Sequence, residues 1–231
     1  MNMTGIALLS DPRIAAVAVR ECGEPLVDMR TIGPLRVDPR RADQAGAYAH
    51  IRAGIVDRLV AAQSLLHRGL RLLIIEAYRP PALQERYFQE YLDQLRTAHP
   101  EWSPARLWDE ASRYVAQSDV APHVAGAAAD LTLVDQDGTE LPMGTPVNAD
   151  PEHSAGACRT DAPALSAAVR ANRRALANAL LATGFVNYPP KWWQWSYGDR
   201  YWTFVTGCGA ARYGPLPADQ ALPGGEGRAV W

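Results

Sequence analysis

The chain has 231 residues, enough for one substantial domain or two small ones. Apolar residues make up 48% and charged residues 21%, and the formal net charge is −2 with no long run of like charges; this argues against nucleic acid or a membrane surface as partner. No stretch approaches about 18 apolar residues, so no bilayer-spanning helix is expected, and the first residues lack the basic and apolar regions of a secretory signal, which points to a cytoplasmic protein.

In chain order, residues 12–21 (PRIAAVAVRE) read as a strand and 25–30 (PLVDMR) as another. From Gly33, GPLRVDPRRADQAGAYAH is a loop-like stretch leading to a helix over about 46–67, where Ile51, Ile55, Leu59, Val60, Leu65 and Leu66 recur at helical spacing. Gly69 offers the left-handed position after it. The apolar run LRLLIIEAY, 70–78, predicts a buried strand stopped by Arg79-Pro80-Pro81. Leu83, Tyr87, Phe88, Tyr91, Leu92 and Leu95 predict a second helix over 82–98, and Ser103-Pro104 caps a third over 104–116. AADLTLVD, 128–135, predicts a strand running into an Asp137-Gly138 turn. A long helix follows over 163–183, closed by Gly184. FVNYPP and WWQWSYGDRYWTFVT then read as strands with a turn at Tyr197-Gly198-Asp199, and the Pro/Gly-rich tail from about 214 as irregular. The expected fold is a single α+β domain over 1–231, a central, mainly antiparallel sheet with helices packed around it.

Cys22, Cys158 and Cys208 are too few and scattered for a disulfide framework or a zinc ribbon; they read as buried or idle thiols, with a Cys158–Cys208 contact or one nucleophilic thiol as alternatives. His50, His67 and His99 read as surface residues. His123 and Asp130, in PHVAGAAADLTL (122–133), place a loop His and a strand Asp where both can bind zinc if further ligands join them; a core His and a turn Asp is the plainer reading of the pair alone.

Three stretches carry a resemblance: EAYRPPALQERYF (76–88), PHVAGAAADLTLV (122–134) and WWQWSYGDRYW (192–202). In this order they resemble the zinc D-alanyl-D-alanine dipeptidases of the vancomycin-resistance type, within the D,D-carboxypeptidase group, over nearly the whole chain. The resemblance implies that His123 and Asp130 match two zinc ligands and that Arg79 matches an arginine that stabilises the developing oxyanion. It also implies a third ligand and a general base, at the His and Glu of a Glu-Trp-Trp-His segment. Here those positions hold Gln194 and Lys191.

Both departures fall on catalytic positions. A neutral amide is a poor zinc ligand beside imidazole or carboxylate, and a protonated ammonium repels a dication and cannot serve as base until its pKa falls. An ion pair between Lys191 and Asp130 is the structural expectation. Lys191, His123, Arg79 and Asp130 are the candidate catalytic residues, and Trp192, Trp193, Gln194, Tyr197 and Tyr78 the candidate binding residues. Tyr197, Asp199 and Arg200 either shape the site or hold a turn. His153 and Cys158 are candidates to replace a lost group, an exposed His and a buried Cys being the plainer alternative. No cofactor is expected, zinc only if the family site survives.

Three functions remain open: a repurposed, metal-independent enzyme acting on an amino-acid or dipeptide-like small molecule, with a biosynthetic role; an active zinc D-Ala-D-Ala dipeptidase; and a non-catalytic dipeptide-binding pseudoenzyme.

Overall fold

The computed structural model describes residues 7–217. In chain order the elements are α1 (Pro12–Ala15), β1 (Leu26–Asp28), β2 (Arg36–Val37), β3 (His50–Arg52), α2 (Ala53–Leu65), β4 (Arg71–Glu76), α3 (Pro81–Ala98), α4 (Pro104–Tyr114), β5 (Ala128–Val134), α5 (Ala167–Ala182), β6 (Val186–Asn187), β7 (Gln194–Ser196) and α6 (Arg200–Thr206). The larger sheet runs β2-β4-β5-β7-β6, and β1 pairs with β3 in a separate ribbon. Among the described strands β2 and β4 pair in parallel and the other ladders are antiparallel. The fold is α+β, with its sheet mainly antiparallel.

β5 is the centre, buried at every position. Ala129, Leu131 and Leu133 share one face with Leu72, Ile74 and Trp195, and pack in the main core with Ile55 and Leu59 of α2 and Leu176 and Leu180 of α5. Fully burying each such leucine or isoleucine stabilises the fold by about 1.5–3 kcal/mol. α3 and α4 pack on each other through Phe88, Leu92, Leu95 and Leu107. Ser103 caps α4 and Ser166 caps α5, each accepting from a backbone N–H three residues on.

Several expectations need correction. Residues 12–15 form a helical turn, because Asp11 caps it and Pro12 occupies its first position; Val19 alone bridges, to Ala211. The helix expected from 46 begins at Ala53. Residues 46–52 form a short 3-10 turn and β3, whose His50 accepts the N–H of Tyr78, after Tyr48 accepts that of Ala77, both at 2.8 Å. His50 is therefore buried rather than on the surface, its Nδ1 bonded to the Gly46 carbonyl at 2.8 Å. The aromatic run after Gly198 is α6 and not a strand: Asp199 Oδ1 accepts the N–H groups of Tyr201 and Trp202, and Gly207 ends the helix in the left-handed region at φ 72°. Residues 214–217 are irregular, and the rest of the tail lies outside the described residues.

Candidate functional site

The sheet face opposite α2 and α5 carries a row of polar side chains. Asp130 pairs in register with Glu76 of β4 on one side and Gln194 of β7 on the other. Simple alternation along β4 would put Glu76 on the core face with Leu72 and Ile74. A register irregularity between Ile74 and Glu76 turns it to the Asp130 face instead. Around this row, α3 contributes Gln84, Tyr87 and Tyr91, α4 contributes Tyr114, the 3-10 turn Pro39–Arg41 contributes Arg41, and loops contribute His123, Asn148 and Lys191. They line a cavity of about 200 Å³. That is below the roughly 300–1,000 Å³ of sites for drug-sized ligands, so the space suits a smaller molecule.

His123 sits in a tight turn. Its carbonyl accepts the N–H of Gly126 at 3.0 Å and of Arg79 at 3.1 Å. Gly126 has φ 63°, and a Cβ there would lie 2.5 Å from Leu26 Cδ2, so the turn requires glycine. The His123 ring is buried, with Nδ1 donating to the Ala77 carbonyl at 2.7 Å and Nε2 facing Asp130 Oδ1 at 3.2 Å. With its amide oriented to suit both neighbours, Asn148 donates to Asp130 Oδ2 and accepts from Arg41 Nη2, each at 3.2 Å. Burial works against ionisation of Asp130, but the His123 ring, then Arg79 and Lys191, hold its carboxyl below the usual range.

Arg79 is buried, and each of its three nitrogens donates to a side chain. Nε and Nη2 fork onto Glu76 at 2.8 and 2.6 Å, Nη1 donates to Gln84 Oε1 at 2.7 Å, and Gln84 donates on to the Ala116 carbonyl at 2.7 Å. Burial opposes both charges of the pair, yet the Arg79 charge and hydrogen bonds keep the Glu76 carboxyl below the usual range, and Glu76 in turn raises Arg79.

Lys191 lies in the turn between β6 and β7, its N–H bonded to the Tyr188 carbonyl at 2.8 Å. The expected ion pair with Asp130 is absent among the described residues, where none within 4.0 Å involves Lys191. The ammonium instead lies 4.1 Å from the centre of the Tyr114 ring, which attracts a cation. Burial pushes the Lys191 amine down to about 8, Asp130 opposing that fall and Arg79 adding to it.

The structure thus brings Lys191, His123, Arg79, Asp130 and Gln194 into one site, with all but the buried Asp130 lining the cavity. It places the other binding candidates elsewhere. Trp192 and Trp193 are buried and belong to the main core. Tyr197 stacks under the Arg58 guanidinium at 3.7 Å and bonds to it, and buried Tyr78 packs with Leu26 and Ala47. Asp199 caps α6, and Arg200 donates to the carbonyls of Ala15 and Val17. The His153 side chain is 91% exposed and bonded to Asp150, while Cys158 is buried; Cys22 and Cys208 are exposed, and all three cysteines are free. Sequence reasoning missed Arg41, Gln84, Tyr87, Tyr114 and Asn148. Gln84 and Tyr87 lay within the EAYRPPALQERYF stretch that carries the resemblance, and asparagine is enriched at the left-handed φ of 64° that Asn148 adopts; Arg41 and Tyr114 left no signal.

The chemistry of the donors bears on zinc. His123 Nε2 and Asp130 Oδ1, 3.2 Å apart, are spaced as two ligands of one ion would be, given zinc–ligand distances near 2 Å. The third position beside Asp130 offers the Gln194 amide, and Lys191 brings a cation to the same cavity. Among the described residues no group of three or more His, Cys, Asp or Glu is placed to hold a metal ion. The residues present therefore do not fit a firmly held zinc ion. No described helix is long and apolar enough to cross a membrane.

The α+β fold thus places a small polar cavity against its central strand. Residues 44–206 match the family model described as D-ala-D-ala dipeptidase, so the chain belongs to that family. It is also similar to a D-alanyl-D-alanine dipeptidase of Synechocystis sp. (strain ATCC 27184 / PCC 6803 / Kazusa), at 27% identity over 221 residues, covering 82% of this chain and 88% of that protein.

Proposed function

We propose that this chain is a repurposed, metal-independent member of its family, acting on an amino-acid or dipeptide-like small molecule. The observation that carries the reading is Lys191: a cation on an aromatic ring inside the cavity, next to a row whose third ligand position is an amide. With its amine lowered to about 8, about a tenth of Lys191 is neutral at pH 7, far more than for an ordinary lysine, and able to take a proton. His123, with Nδ1 on the Ala77 carbonyl and Nε2 on Asp130 Oδ1, orients the carboxylate of Asp130. The Arg79–Glu76 pair lines the same cavity. A site with a base but without the hydrolytic pair is read as serving a biosynthetic step on an amino-acid derivative rather than peptide cleavage.

Amino-acid and dipeptide-like compounds, D-alanyl-D-alanine first, test this when incubated with chelator-treated protein and with Lys191→Ala. Conversion that survives the chelator and disappears in Lys191→Ala is expected. Conversion that needs added zinc overturns the proposal. A zinc dipeptidase is the second reading, favoured by the 3.2 Å spacing of His123 and Asp130.

A further inference from the structure

Most charges around the cavity are already matched. Arg79 is spent on Glu76 and Gln84. Asp130 faces His123 with one oxygen and Asn148 with the other. Glu90, a carboxylate at the exposed rim, faces Arg86 at 3.6 Å. Two cations on the wall differ. Among the described residues, neither Arg41 nor Lys191 has a carboxylate within ion-pair distance. Lys191 rests on Tyr114. Arg41 is an exposed residue at the mouth of the cavity and is not neutralised: its guanidinium lies 5.8 Å from the Tyr87 ring centre, and Nη2 donates to the Asn148 amide oxygen at 3.2 Å. Asn148 keeps a left-handed φ of 64° while joining Arg41 to Asp130. A positioned but unneutralised guanidinium beside a small walled cavity is complementary to a planar anion, and a carboxylate matches its fork of N–H donors.

We propose that Arg41, oriented by Asn148 and Tyr87, is the specificity residue for a carboxylate on the ligand. The inference rests on the reading of the cavity as a site for an amino-acid or dipeptide-like molecule, and adds the residue that recognises its carboxylate.

Calorimetric titration of D-alanyl-D-alanine and of its C-terminal amide into chelator-treated protein tests it, using wild type, Arg41→Gln and Arg41→Lys. Wild type is expected to bind the acid at least about tenfold more tightly than the amide, Arg41→Gln to reduce that preference below about threefold with amide affinity kept, and Arg41→Lys to fall between. Equal affinity for acid and amide in wild type, no detectable binding of the acid, or an undiminished preference in Arg41→Gln overturns the assignment. Zinc-dependent hydrolysis by the same preparations would sink the metal-independent reading yet leave the acid-to-amide preference readable, so the two failures are distinguishable.

Discussion

Replacing Lys191 by methionine keeps the length of the side chain and removes its charge. Burial lowers the Lys191 amine from 10.5 to about 8, which corresponds to roughly 3 kcal/mol spent on holding the charged form in the folded protein. The methionine also gives up the contact with Tyr114, worth about 0.5–2 kcal/mol as a cation–π pair. Lys191→Met is therefore expected to be more stable than wild type by about 1–2 kcal/mol at pH 7, a Tm rise of roughly 2–8 °C for a chain of this size. The gain depends on pH with a definite sign. Below pH 8 both folded and unfolded chains carry the proton and the full cost applies. Between about 8 and 10.5 the unfolded chain binds more protons, so wild-type stability rises with pH and the advantage of the variant shrinks; above 10.5 it is gone. Urea unfolding of both proteins at pH 7 and pH 10 measures this. A variant less stable than wild type at pH 7, or a difference that does not shrink by pH 10, refutes the reasoning.

Glu76→Gln leaves the buried Arg79 without its counter-charge and is expected to cost about 3 kcal/mol in urea unfolding; a loss near zero would mean the pair contributes little. Asp199 is buried with Oδ2 unpartnered, and burial raises its carboxyl. Asp199→Asn keeps the cap and removes a buried charge, so it should match or exceed wild type at pH 7; because the folded value lies above the unfolded 3.8, its advantage should grow as pH rises past 3.8 and vanish below it. Asp199→Ala should instead lose about 0.5–2 kcal/mol with the cap. The double variant Lys191→Glu with Gln194→His supplies a carboxylate and a third ligand beside His123 and Asp130, and should take up close to one zinc per chain by metal analysis where wild type does not.

Elements with a strong local signal were legible in the sequence. β4 and β5 announce themselves as apolar runs, and α3 and α4 by their proline starts and spacing. α6 was misread because its aromatic run has strand propensity, while a single cap, Asp199, decides the backbone. β3 was hidden inside a helical pattern because its pairing with β1 is a long-range choice. In the site, the motif positions Arg79, His123, Asp130, Lys191 and Gln194 do converge. The partners that set their electrostatics were not legible: Tyr114 under Lys191 and Arg41 on Asn148 come from separate segments that only the fold brings together. Glu76 reached the site through a local register irregularity that its alternating apolar neighbours do not foretell.

The central claim, that a lysine and a glutamine leave no firm place for zinc, is tested most directly by the metal content of the protein. Protein purified with zinc present and then dialysed against metal-free buffer should retain far less than one zinc per chain by mass spectrometry. One zinc per chain surviving dialysis, with cleavage of D-alanyl-D-alanine by that material, would contradict the account.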